Sequence, residues 1–196
     1  MSGERASQPL VVSAAAVPGV EGLTVHLTPM RRRHLRSVLR IEVLVYPRPW
    51  SLGLFLSELG LRATRAYVVA RVGPTVVGYA GLLLAAGDGH VTTVAVDPAW
   101  HRHGVATRML LALSRAGVAR GCTSLTLEVR VRNDGAQALY RRFGFVPAGI
   151  RKGYYQETNE DALVMWAHDV DLPAYAARLD GIEAALAGAT VLEGDL

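Results

Sequence analysis

Two stretches of the 196-residue chain bring together residue types that could do chemistry. The first runs Val94-Ala95-Val96-Asp97-Pro98-Ala99-Trp100-His101-Arg102-His103-Gly104-Val105-Ala106-Thr107. An apolar strand ends, a tight loop crosses over, and a helix opens at small residues. The N–H groups of such a loop and first turn have no intrahelical acceptors, and with the helix dipole they form an anion site. Gly104 would let the backbone approach a phosphate, Ala106 keeps the next turn low, and Arg102 adds a fixed positive charge. The same pattern also fits an ordinary strand-turn-helix with glycine in the turn. The second stretch, Leu125-Thr126-Leu127-Glu128-Val129-Arg130, sets a carboxylate in an apolar strand. Further on, Asn133 precedes a short helix presenting Ala136, Leu139 and Tyr140 on one side. Beside an anion site, Glu128 and Tyr140 would be a base–acid pair. Otherwise Glu128 faces solvent and Tyr140 is a core aromatic with a hydrogen-bonded hydroxyl.

The elements that must position these groups follow from periodicity. Residues 1–22 show no sustained period and read as a tail. Leu23–Leu27 alternates as a strand. Thr28 and Pro29 then read as cap and first turn of a helix bearing Leu35, Val38, Leu39, Glu42 and Val43. Tyr46-Pro47-Arg48-Pro49-Trp50 breaks that helix, and Ser51 caps a second one running to about Arg62. Strands are expected at Ala66–Val72, Thr75–Leu84 and His90–Val96, then a helix over Val105–Ala119 that Gly121 stops. Thr123–Val129 reads as a strand, Asp134–Phe143 as a helix, and Phe145–Ile150 and Asp161–His168 as strands. The order predicts a mixed α/β fold, mainly antiparallel in its front half. Tyr175, Leu179, Ile182 and Leu186 lie at helical spacing, so residues 171–196 read as a helical extension with a mobile acidic end.

Composition narrows the function classes. With 51% hydrophobic and 19% charged residues the chain can bury a sizeable core, and its length suits one domain. A single cysteine, Cys122, excludes an intramolecular disulfide framework and a multi-cysteine zinc site, and fits a reducing, cytoplasmic setting. No stretch approaches the roughly 20 apolar residues of a membrane span, and Leu10–Val17 makes a poor signal peptide. A net charge of +4 is compatible with an anionic cofactor, a nucleic acid or a ribosomal partner, and chooses none of them.

Taken together these stretches resemble the GNAT acetyltransferase superfamily. His101-Arg102-His103-Gly104-Val105-Ala106 is similar to its Q/R-x-x-G-x-G/A acetyl-CoA loop, with His101 standing where Gln or Arg is usual. Leu127-Glu128-Val129-Arg130, Asn133, Ala138-Leu139-Tyr140 and Phe143-Gly144-Phe145 follow in the family's order and spacing. Pro49-Trp50-Ser51, Ile150-Arg151-Lys152-Gly153-Tyr154-Tyr155 and Glu160-Asp161-Ala162 resemble the bacterial ribosomal-protein alanine N-acetyltransferases. The resemblance covers about residues 23–170, which are expected to form the catalytic domain.

The resemblance implies a GNAT fold whose splayed strands form the acetyl-CoA cleft, and a direct transfer from acetyl-CoA to the α-amine of a protein N-terminus, ribosomal or other. Glu128 would be general base and Tyr140 general acid. The family's bulged strand maps to Val94-Ala95-Val96, whose backbone would pair with the pantetheine arm, with the Val96 amide polarising the thioester carbonyl. Arg102, His103, Gly104, Val105, Ala106 and Thr107 would hold the pyrophosphate, and Asn133 would add a polar contact. Trp50, Tyr154 and Tyr155 would line the peptide groove. A lysine or small-molecule amine as acceptor, and a non-catalytic acyl-CoA-binding partner, are the alternatives. Arg31-Arg32-Arg33-His34, with Arg36 and Arg40, reads as the solvated face of the first helix, with ribosomal RNA or an acidic partner as the alternative contact; no direct nucleic-acid binding is expected. His101-x-His103 lacks a local third ligand, so no metal is expected.

Overall fold

Period-two alternation in the strands leaves a sheet with two apolar faces, and helices cover both. In a computed structural model, residues 22–196 are described; the expected tail lies outside them apart from Gly22. The strands are β1 (Thr24–Pro29), β2 (Arg65–Val72), β3 (Thr75–Ala85), β4 (Asp88–Val96), β5 (Ser124–Arg130), β6 (Val146–Tyr155), β7 (Glu160–His168) and β8 (Ala189–Leu192). The helices are α1 (Leu35–Val45), α2 (Leu52–Gly60), α3 (Val105–Ala119), α4 (Asp134–Arg142) and α5 (Pro173–Ala184). One eight-stranded sheet runs in the order β6-β7-β5-β4-β3-β2-β1-β8. Its pairs are antiparallel except β4–β5 and β1–β8, so the mixed, mainly antiparallel α/β expectation holds.

Along β2, Val68 and Ala70 join the core under α3, whereas Tyr67 and Val69 join the one under α1 and α2. In α3, Met109, Leu110 and Leu113 are fully buried. Ser51 caps α2 by accepting the Leu54 N–H at 3.2 Å. Asn133 does the same for α4 through Ala136 N–H at 3.0 Å.

Four expectations need correcting. Thr28 and Pro29 do not start a helix: both belong to β1, where they pair with Val69 and Val68, and α1 begins at Leu35 after a 3₁₀ turn at Arg32–His34. The arginine run therefore precedes α1 and does not form its face. The bulge in β4 lies not within Val94–Val96 but at Thr92, left unopposed where Gly81 faces Thr93 and Leu82 faces Val91. Finally, the expected mobile end is β8, pairing parallel to β1 from Thr24↔Ala189 to Leu27↔Leu192. Glu193 closes that edge, 2.8 Å from His26 and 2.6 Å from Arg71. The chain can turn into β8 because Gly188 has φ +77°, and a Cβ there would lie 2.2 Å from the Leu23 carbonyl oxygen. The expected helix is α5, which packs on α3 through buried Tyr175, Leu179 and Ile182.

Candidate active site

The site begins where two parallel strands part. β4 and β5 pair only at Asp88↔Ser124, Gly89↔Leu125 and His90↔Thr126. Beyond His90 they diverge, and Val94–Val96 and Glu128–Arg130 flank the opening. The Asp97 N–H donates to Val77 O at 2.8 Å, which makes Val96↔Gly78 and Val94↔Ala80 the non-hydrogen-bonded pairs of the β3–β4 ladder. The polar backbone groups of Val94 and Val96 therefore turn away from β3 toward the opening, while Ala95 turns its own to β3. Two side chains meet them there: Tyr46 OH donates to Val94 O at 3.1 Å and His101 Nε2–H donates to Val96 O at 3.0 Å.

Glu128 does not face bulk solvent. Its side chain is 8% exposed, with Oε2 lying 3.0 Å from His90 Nε2 and Oε1 lying 3.1 Å from Arg151 Nη1. β5 presents it at the opening, β4 supplies the histidine and β6 the arginine. Arg151 is 58% exposed, so its guanidinium can leave without disturbing the core.

Tyr140, on α4, is buried and packs its ring against Phe145 at 5.9 Å. Burial raises its phenol pKa well above 10, and the Tyr46 and Tyr155 hydroxyls push it the same way. The group is thus a proton carrier at every working pH. Burial also raises Tyr46, whose hydroxyl lies 3.1 Å from Thr93 Oγ1.

At the head of α3 the first intrahelical bond runs from Arg108 N–H to Gly104 O, so the amides of Gly104, Val105, Ala106 and Thr107 precede the helical ladder. Gly104 has φ +72° and Arg102 φ +67°, two left-handed residues within one turn. The structure changes the reason for Gly104. A Cβ there would point inward, 2.6 Å from Arg108 Nη1 and 3.0 Å from Leu186 Cδ2, not outward at a phosphate. Arg108 is fully buried and ties the loop to the C-terminal segment, donating to His103 O at 3.2 Å, to Thr190 Oγ1 at 2.9 Å and to Ala187 O. His103 turns back to donate its Nδ1–H to His101 O at 2.8 Å. The His101 and His103 rings thus hold the loop itself, and among the described residues no group of three or more potential metal ligands converges.

Two turns flank the opening. Trp50, in the α1–α2 turn, is half-buried with its ring 5.3 Å from Phe55, and its N–H donates to Glu42 Oε2 at 2.9 Å. Glu42 is 1% exposed and also accepts from Tyr79 OH; burial pushes its carboxyl up to about 7, against the opposing pull of the Trp50 N–H. At the end of β6, beside the β6–β7 turn, Tyr154 is exposed and meets Tyr155 edge-on at 5.1 Å. Arg130 lies 3.9 Å over the Tyr155 ring and bridges Glu157 at 2.6 Å and Glu160 at 3.0 Å. Asp161 steadies the turn by accepting the Gly153 N–H at 2.7 Å.

Tyr155 OH donates to Glu128 O at 3.5 Å, so these two expected site residues meet, whereas Trp50 packs on Phe55. Asn133 uses its carbonyl oxygen as the α4 cap. Sequence reasoning missed His90, Arg151, Tyr46 and Glu42 as site residues. Only Glu42, an acid among apolar positions of α1, carried a local signal.

A family model described as Acetyltransferase (GNAT) family matches residues 35–145. The chain is 38% identical over 134 residues to the N-alpha-acetyltransferase RimI of Mycobacterium tuberculosis, covering 65% of this chain and 80% of that protein. It is 32% identical over 133 residues to the ribosomal protein bS18-alanine N-acetyltransferase of Escherichia coli K12, covering 67% and 88%. The crystal structure of the ribosomal-protein-S18-alanine N-acetyltransferase from Escherichia coli matches with a TM-score of 0.68 at 28% identity, covering 74% of this chain and 94% of that one. The chain belongs to the GNAT family of acetyl-CoA-dependent acetyltransferases and is similar to its ribosomal-protein alanine N-acetyltransferases.

Proposed function

We propose that the protein acetylates the α-amine of a protein N-terminus, alanine or another small residue, on a ribosomal substrate. The observation that carries this reading is the Glu128 carboxylate at the β4–β5 opening, between the α1–α2 turn and the β6–β7 turn. The similarity to Escherichia coli enzymes named for the alanine of ribosomal protein S18 supports the ribosomal acceptor. The catalytic unit is assigned to residues 23–170, acting in the cytoplasm, with β8 and the turn before it buttressing the α3 loop through Arg108.

Acetyl-CoA fits the opening: backbone of β4 beyond His90 that β5 does not pair suits an amide-bearing arm, and the α3 amides with Arg102 suit a pyrophosphate. When bound it supplies an acetyl thioester. Arg102, His103, Gly104, Val105, Ala106 and Thr107 hold its phosphates, the backbone of Val94 and Val96 pairs with its arm, and Asn133 contributes its side-chain amide N–H₂. The Val96 amide stabilises charge on the carbonyl oxygen.

A terminal α-amine has a pKa of about 7.7–8.0, so at neutral pH much of it is protonated. Glu128 takes that proton, directly or through water, and the freed nitrogen forms the new C–N bond as the C–S bond breaks. Tyr140 gives its proton to the departing sulfur. Its high pKa makes it a weak acid, so this transfer has to accompany C–S cleavage, when the sulfur is most basic. Trp50, Tyr154 and Tyr155 line the acceptor groove, and the peptide ammonium replaces the exposed Arg151 guanidinium on Glu128.

An acetyl-CoA assay across peptides differing in their first residues tests the reading, with an N-terminally blocked, lysine-bearing peptide as control. Acetylation of small N-terminal residues and not of the blocked peptide is expected. Acetylation confined to side-chain or small-molecule amines rejects it, and binding of acetyl-CoA without turnover returns the protein to a binding role.

A further inference from the structure

Far from the β4–β5 opening, a cavity of about 810 Å³ is lined by six arginines, Arg31, Arg32, Arg33, Arg62, Arg65 and Arg120. They come from four places: the turn before α1, the α2–β2 turn, the start of β2 and the residue closing α3. The 15-residue α3 separates Arg120 from the Gly104 loop by about 22 Å along its axis. Two carboxylate side chains line the same cavity, Glu58 and Asp195. Glu58 is already engaged by Arg65 at 2.6 Å and Tyr67 OH at 2.8 Å. The excess in this one place equals the formal charge of the whole chain, +4.

Ordinary structural needs explain only part of this charge. Arg62 and Arg120 follow the C-terminal ends of α2 and α3, where cations are favoured. Arg31, Arg32 and Arg33 precede α1, the end that disfavours cations, and no acid stands in its first turn. All three are exposed, and among the described residues no ion pair engages them, Arg62 or Arg120. Burial holds the pKa of His34, beside this cluster, below its ordinary value, and Arg33, Arg71 and Arg31 push it the same way.

We propose that this cavity binds a nucleotide-sized ligand bearing two or more phosphate groups. Guanidinium forks converging from several elements suit closely spaced phosphate oxygens. The volume falls in the range of small-molecule sites, and Leu56, Leu59 and Met30 give it an apolar wall for a base. The phosphates come either from a free nucleotide or from an RNA segment. The site is separate from the acetyl-CoA loop, so it stands whichever acceptor the enzyme uses.

Calorimetric titration of the full chain at fixed ionic strength with ATP, with pyrophosphate and with a short single-stranded RNA tests it. We expect saturable binding of ATP or RNA that CoA does not displace and that the double variant Arg32→Ala/Arg62→Ala weakens by roughly tenfold or more. Both residues are exposed and unpaired, so the fold and the CoA affinity should persist. Arg36→Ala, on α1 outside the cavity, should leave binding unchanged. ATP binding without RNA binding names a nucleotide as the source, and the reverse names RNA. No saturable binding by any of the three, displacement by CoA, or equal affinity in the double variant overturns the proposal.

Discussion

His90 Nε2 lies 3.0 Å from Glu128 Oε2, directly beside the last rung joining β4 to β5. The last paired residue of β4 thus holds the first carboxylate past the parting of the strands. A general base must be both oriented and accessible, and His90 orients Glu128 from the core side while Arg151 covers it from the surface. Glu128→Gln should lower turnover by roughly 10²-fold or more and leave CoA binding nearly intact. His90→Ala should cost less, roughly tenfold in turnover, because the base remains but its rotamer is freed. Steady-state rates beside CoA titrations check both, and an unchanged rate in Glu128→Gln rejects it as the base.

Tyr140→Phe preserves the ring packing on Phe145 and removes only the hydroxyl. Turnover should fall by roughly 10²-fold with the melting temperature nearly unchanged. Since burial holds the phenol above its ordinary value, the wild-type rate should show no alkaline loss from Tyr140 up to about pH 10. The rate should instead rise through about pH 8 as the peptide amine deprotonates. A pH–rate profile falling between pH 8 and 9 contradicts this assignment.

Local patterns made the elements legible because most of the chain is locally consistent: Ser51 and Asn133 cap where capping residues should, and α3 carries its stripe. Glu128 could be singled out as a carboxylate in an apolar strand, whereas Tyr140 is singled out by the resemblance, its own neighbours reading as core. His90 could not, since nothing near it in sequence says that β4 lies parallel to β5 for only three rungs. β8 was missed for a related reason. Its partner is β1, at the other end of the described chain, and four residues with a glycine before them carry no signal of that pairing. Thr28-Pro29 misled because helix-start residues there yield to pairing with β2. Tertiary pairing overrode local preference in each case.

Gly104 should be sensitive for two separable reasons. Any side chain there must adopt φ +72°, a strained conformation costing about 1 kcal/mol or more, and it meets Arg108 and Leu186. Gly104→Val should therefore lower the melting temperature as well as raise the CoA dissociation constant. Arg108→Met leaves φ alone but unties His103 O, Ala187 O and Thr190 Oγ1. It should loosen the loop and weaken CoA binding without touching Glu128. Thermal melts and CoA titrations of the two variants distinguish strain from lost anchoring.

Glu42 gives stability a pH dependence whose sign follows from its burial. Its carboxyl titrates at about 7 in the folded chain and near 4.5 when exposed, so the folded state binds this proton more tightly. The contribution is fully present below pH 4.5 and is lost as pH rises through about 7. The shift corresponds to at most about 3 kcal/mol. Glu42→Gln keeps one acceptor oxygen, for either the Tyr79 hydroxyl or the Trp50 N–H, and has no proton to lose. Relative to wild type it should gain stability between pH 5 and 8, flattening that part of the curve. Denaturant unfolding at pH 5, 6, 7 and 8 measures the difference. A gap between the proteins that stays constant across this window would mean that Glu42 remains ionised throughout, held by its two donors against the effect of burial.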